Sequence, residues 1–278
     1  MSYSVDLWNS FDCIGNSLLS NINGMKNLTD IFNGLYLSLE SFSSSLKDLY
    51  NYDYEISSQK SLYEGILYFK EDFINCYNYI FDFMSCIKKE IITPLERTRE
   101  NLLNKYLKYK EALNNIEEDY EEYINNLHIS KTEFYNSVKD VEDFKLILEN
   151  DKYNYNESSN KYKKGSDEKI NELLKIAKEN QKKYVLSIKK INNIQNDYIE
   201  KKKNYLNNMQ YMEEYIGESI KDSLRKFILY KMALVRNFQY DSENVSKKFD
   251  EININKDIKE FIYQNSTNDL IPFKYEFI

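Results

Sequence analysis

The stretch Lys175–Lys190 reads KIAKENQKKYVLSIKK and sets six lysines against one acid, in a chain whose formal net charge is −7. Ammonium groups at that density need no cofactor to act: they attract anionic surfaces by charge. The Debye length is about 8 Å at physiological salt, so acids elsewhere on the chain do not cancel a local basic face. The imbalance is regional. Residues 158–203 carry 13 basic and 6 acidic residues, whereas residues 1–92 carry 6 and 12 and residues 93–157 carry 9 and 15. The plain alternative is an ordinary solvated helix face, and what separates the two readings is whether the lysines point the same way.

Numbered from Leu174 as a heptad, the a positions are Leu174, Gln181, Ile188, Gln195, Lys202, Met209 and Ile216, and the d positions are Ala177, Tyr184, Ile191, Tyr198, Tyr205 and Met212. Ten of these thirteen are apolar or aromatic, the signature of a helix packed against other helices. In that register Lys175, Lys182, Lys189 and Lys203 take position b, and Lys183 and Lys190 the adjacent c. They form one stripe beside the core, roughly 42 Å long at about 1.5 Å per residue. Lys202, at an a position, softens the seam.

An upstream repeat must supply the opposing helix. Tyr106, Leu113, Tyr120, Leu127, Phe134, Val141 and Leu148 recur every seven residues, with Tyr109, Ile116, Tyr123 and Phe144 as companions and Ser130 and Ser137 as weak spots. The strict seven-residue period predicts left-handed supercoiling. The apolar face runs back through Phe69, Phe73, Tyr77, Ile80, Phe83, Ile87 and Ile91 to Pro94, which predicts one long helix over about 58–157, bent near Thr93–Pro94. Lys105, Lys108 and Lys110 follow the proline. Between the repeats, Asn154–Lys169 is polar and contains Gly165. It reads as a short tip loop, with a helix start at Ser166-Asp167-Glu168 and with Lys161, Lys163 and Lys164 available to an anionic surface. Leu28 to Leu49 keep helical spacing before a break at Asn51–Ile56, and Ile254–Gln264 forms a short last helix. Only two prolines and six glycines punctuate 278 residues, so the fold class is all-α.

Other chemistry is thin. Cys13, Cys76 and Cys86 have no metal spacing and read as reduced, mostly buried cytosolic thiols. His128 is the lone histidine and reads as structural or solvated. No phosphate-cradling glycine loop and no zinc-protease motif occurs. The acid run Ile116–Tyr123 sits on a helix face with no cleft. An enzyme, a metal, a cofactor and a nucleic-acid partner are therefore not expected. The opening MSYSVDLWNSFD lacks the features of a leader, and no run of 18 apolar residues predicts a membrane span.

In this order the elements resemble the F-BAR (extended FCH) domain family. LWNSFDCIGNSLLSNINGMKNLTDIFNGLYLSLESFSSSLKDLYN is similar to that family's start, with Trp8, Phe11, Gly24, Leu46 and Leu49 at the matching places. IKKEIITPLERTREN is similar to its mid-helix isoleucine-proline-leucine segment. NMQYMEEYIGESIKDSL and FDEININKDIKEFI resemble its last long helix and terminal short helix. The resemblance implies an elongated antiparallel helical bundle, a homodimeric crescent over residues 1–264 with an extension at 265–278 that packs back or leads to a downstream domain. It further implies a concave lysine face that binds anionic phospholipid membranes and senses or induces curvature, peripherally at the plasma membrane or endocytic membranes. Actin-regulatory or Rho-family GTPase partners would come through domains outside this chain. One departure stands out: the stretch FNGLYLSLESFSSSLKDL, where the family carries several basic residues, has only Lys47. The lysines named above would have to supply the charge. The competing reading is a coiled-coil adaptor that docks proteins with little lipid binding.

Overall fold

In a computed structural model, residues 1–55, 59–154 and 160–266 are described, with side chains from 151 to 164 outside that description. The described residues form helices and no strands: α1 (Tyr3–Asp6), α2 (Phe11–Tyr50), α3 (Lys60–Ile87), a π-helical turn (Lys88–Ile92), α4 (Thr93–Asn154), α5 (Asn160–Asp250) and α6 (Ile254–Asn265). Just before Pro94, where a bend was expected, the helix widens into the π turn. The Thr93 N–H bonds back to the Lys88 carbonyl, five residues away, and Pro94 brings no N–H to restore the narrower ladder.

The helix start predicted at Ser166 is overturned. α5 begins at Asn160 and runs through Gly165. A glycine inside a helix costs only about 1 kcal/mol, and extending a long helix by a residue adds a hydrogen bond without a new nucleus. Residues 155–159 and 267–278 lie outside the described residues, and with them the centre of the proposed tip loop and most of the 265–278 extension.

The chain divides into two compact units, Met1–Leu19 with Leu102–Glu214, and Ser20–Asn101 with Tyr215–Ile278. In the first unit, α4 and α5 run antiparallel. Tyr109 meets Tyr205, Tyr120 meets Tyr198, and Phe134 meets Tyr184, the α5 partners falling as the α4 numbers climb. Tyr120 and Tyr198 stack face to face, 4.1 Å between centroids. The core includes Leu102, Tyr106, Leu113, Val141, Ala177, Leu206, Met209 and Met212. The weak spots Ser130 and Ser137 are buried, and their hydroxyls donate to the carbonyls of Leu127 (3.0 Å) and Phe134 (2.7 Å). Satisfied within their own helix, they avoid the penalty of an unpartnered buried hydroxyl. The start of the chain is tied in. The Tyr3 N–H donates to Gln210 at 3.0 Å, and its hydroxyl donates to Glu213. Gly15 packs closely on Tyr106, whose hydroxyl would lie 3.0 Å from an added Cβ.

In the second unit, Leu46, Ile80 and Met84 form a cluster with Phe73, Tyr77, Leu234 and Phe238 around them. Phe227 packs on Phe32 and Phe83. α6 is latched to the start of α3: Asp257 accepts from the Ser61 N–H (3.0 Å) and hydroxyl (2.6 Å), while the Asn253 N–H donates to the Ser61 hydroxyl oxygen at 2.9 Å. Gly65 lies beneath Ile252, where an added Cβ would clash at 2.6 Å.

Two sequence expectations fail on burial. Cys13 is exposed and Cys76 and Cys86 are half-buried, so no thiol is a core residue. Of the predicted apolar faces, Phe42, Leu49, Phe69 and Tyr123 remain exposed, because periodicity locates a stripe but not its width on a given partner.

Candidate functional site

The heptad assigned from Leu174 places the lysines as the register requires. Every a and d position is buried or half-buried except Gln181 and Gln195, and Lys175, Lys182, Lys183, Lys189, Lys190 and Lys203 are all exposed on α5. Lys105, Lys108 and Lys110 are exposed on α4. All nine belong to the first unit. Lys161, Lys163 and Lys164 lie outside the residues whose side chains are described.

Of the six stripe lysines, only Lys183 forms an ion pair among the described residues, with Glu133 of α4 at 3.8 Å. Both groups are well exposed, so the pair is worth well under 1 kcal/mol and leaves the ammonium open to other anions. Lys201, beside the stripe, is instead taken by Asp197 at 2.8 Å. Five stripe lysines thus present unneutralised charge over the span from Lys175 to Lys203. Neighbouring α4 adds acids in the same unit, with Glu118, Asp119, Glu121 and Glu122 exposed. The basic face is therefore a property of one side of α5 rather than of the whole unit.

Lys202 departs from the stripe. It is 4% exposed, its Nζ lies 2.7 Å from Glu117, donates to the Tyr198 hydroxyl at 3.2 Å, and sits 5.1 Å from the centre of the Trp8 ring. Burial pulls its pKa down, but the hydrogen bonds to Glu117 and Tyr198 outweigh that and leave it raised. Sequence reasoning took Lys202 as a soft spot. Glu117 is 85 positions away in the chain, and the only signal in the sequence was a lysine at a core position. Lys47, the single basic residue of its stretch, lies over the Tyr77 ring at 5.6 Å.

No family model and no curated protein matches the chain. Solved structures do. The Imp2 F-BAR domain superposes with a TM-score of 0.85 at 14% identity, covering 100% of this chain and 92% of the other. The chain has the F-BAR fold. The Hof1p F-BAR domain agrees, with a TM-score of 0.81 at 13% identity over 98% of this chain and 99% of that one. At such identity the F-BAR fold is carried by seam positions rather than by particular side chains, and the lysine positions must be argued from this chain alone. No described helix is long and apolar enough to cross a membrane.

Proposed function

We propose that this chain is a peripheral membrane-binding F-BAR module, which works as a homodimer, binds anionic phospholipid bilayers through the lysines of α4 and α5, and senses or induces curvature. The observation that carries the reading is the α5 stripe: five exposed lysines without an ion pair among the described residues, aligned beside the seam of a helix in an F-BAR fold. At about 1 kcal/mol per basic residue near an anionic leaflet, six stripe lysines supply roughly 6 kcal/mol. That corresponds to a dissociation constant of tens of micromolar, tightened when two chains engage together. The homodimer is supported by large apolar side chains that one chain leaves bare in its second unit, Phe42 at 53%, Phe81 at 55% and Leu229 at 63%. A second copy of the chain packing on them would take these side chains out of water. Within this proposal the module links a membrane to actin-regulatory or Rho-family GTPase partners at the plasma membrane or endocytic membranes.

The test is co-sedimentation with vesicles containing phosphatidylserine or a phosphoinositide. Pelleting that falls away at high salt is the expected result. The adaptor reading, with little lipid binding, draws on the overall charge of −7 and on Lys47 standing alone in its stretch. Failure to pellet at any salt or vesicle diameter would decide for it.

A further inference from the structure

Two exposed leucines of the first unit have opposite surroundings. On α5, Leu186 is 57% exposed. In the heptad counted from Leu174 it takes position f, which lies between b and c on the outer face of the helix. The other f positions along the stripe are Glu179, Asn193 and Glu200, the polar residues that an outward position ordinarily carries. Residues three and four apart on a helix are neighbours, about 5–6 Å between Cβ atoms. For Leu186 those four neighbours are Lys182, Lys183, Lys189 and Lys190, every one of them exposed. On α4, Leu146 is 58% exposed, and its four neighbours are Glu142, Asp143, Glu149 and Asn150. Lysine stems can lie over a neighbouring apolar side chain while the ammonium groups stay in water. Around Leu186 four such stems leave more than half of the leucine bare, so the ring does not serve to cover it.

We propose that Leu186 is an apolar anchor for an anionic bilayer: its side chain enters the headgroup layer while the four lysines around it hold the lipid phosphates and carboxylates. The inference rests on the membrane-binding reading above and adds to it a component that salt does not screen. The pairing of chemistries selects the occupant. A nucleic-acid backbone or another soluble polyanion would satisfy the ammonium groups and give the leucine nothing. A bilayer carries its anions in the headgroup layer with hydrocarbon directly beneath, so one surface meets both parts of the site. Among the described residues, Lys183 alone of the four is ion-paired, with exposed Glu133 at 3.8 Å, so lipid anions meet little competition. The attraction of the lysines weakens as salt is added, whereas removal of apolar surface from water does not. A leucine of this exposure, once buried, strengthens binding about fivefold per chain. That is a small part of what the stripe supplies by charge, so Leu186 holds a chain that the lysines have already brought to the surface.

The experiment uses the whole chain, vesicles of phosphatidylcholine with phosphatidylserine, and heparin resin as a polyanion without hydrocarbon. Leu186→Ser should weaken vesicle binding about fivefold at unchanged helicity, yet leave heparin at the same salt concentration as wild type. Leu146→Ser, whose neighbours are acidic, should bind vesicles as wild type does. Leu186→Trp should be quenched by phosphatidylcholine brominated on its acyl chains, beyond the quenching that Trp8, the one native tryptophan, shows in wild type. Full vesicle binding by Leu186→Ser, an equal loss in both serine variants, a parallel loss on heparin, or no added quenching in Leu186→Trp overturns the anchor and leaves charge-driven membrane binding standing. A wild type that heparin retains but no vesicle pellets overturns the membrane reading itself, and the anchor with it.

Discussion

Lys202 and Glu117 form a charged pair inside an otherwise apolar seam, so their removal should be asymmetric. Truncating Glu117 to alanine leaves a buried ammonium and should destabilise the chain by about 3 kcal/mol. Replacing Lys202 by methionine, of similar length, should cost less and will be better tolerated together with Glu117→Gln. Urea denaturation of the three variants measures this. Trp8 covers the ammonium at 5.1 Å, so its fluorescence should report the same transition. The seam tyrosines are less forgiving. Tyr120 stacks on Tyr198 at 4.1 Å, and Tyr120→Asp would force a charge between rings and should lower stability by 3 kcal/mol or more.

At the scale of elements, the latch that holds α6 is titratable. The Ser61 hydroxyl, then the N–H groups of Ser61 and Leu62, hold the Asp257 carboxyl below its ordinary value of 3.8, against the opposing effect of burial. A depressed carboxylate stabilises the fold above its unfolded pKa, and that contribution is lost as pH falls through the folded value. Hydrogen exchange should therefore find α6 protected at neutral pH and released below about pH 3.8, with Asp257→Asn released throughout. The elements themselves were largely legible in the sequence. An irregularity beside Pro94 was expected because proline breaks the ladder, though its π form was not, and α5 was readable because its heptad is strict. The start of α5 was not, because glycine and polar residues bias a chain locally while a long helix propagates through them. Nor was the contact that needs two distant segments, Lys202 with Glu117, since nothing in either segment points to the other.

At the scale of the whole molecule, the proposed membrane role rests on charge and the proposed dimer on apolar surface, and the two should separate. The quadruple change of Lys182, Lys183, Lys189 and Lys190 to glutamate should abolish vesicle binding while leaving helicity intact and solution mass at twice the chain's 33.4 kDa. A polar replacement of Phe81 with Leu229 should instead shift the mass toward one chain and weaken vesicle binding only as far as paired engagement is lost. The sequence indicated which lysines share a helix face. It did not reveal that Glu133 would claim Lys183, because that contact is set by side-chain reach between two helices in the folded unit.

The first unit joins the first nineteen residues to a stretch that begins at Leu102, and Tyr3 finds Glu213 across 210 positions of chain. On a ribosome adding about 5–20 residues per second, the opening segment waits roughly 10–40 seconds for its counterpart to be made. During most of that interval Trp8 lacks its partners Tyr198 and Lys202. The first unit therefore closes only after most of the chain has been made.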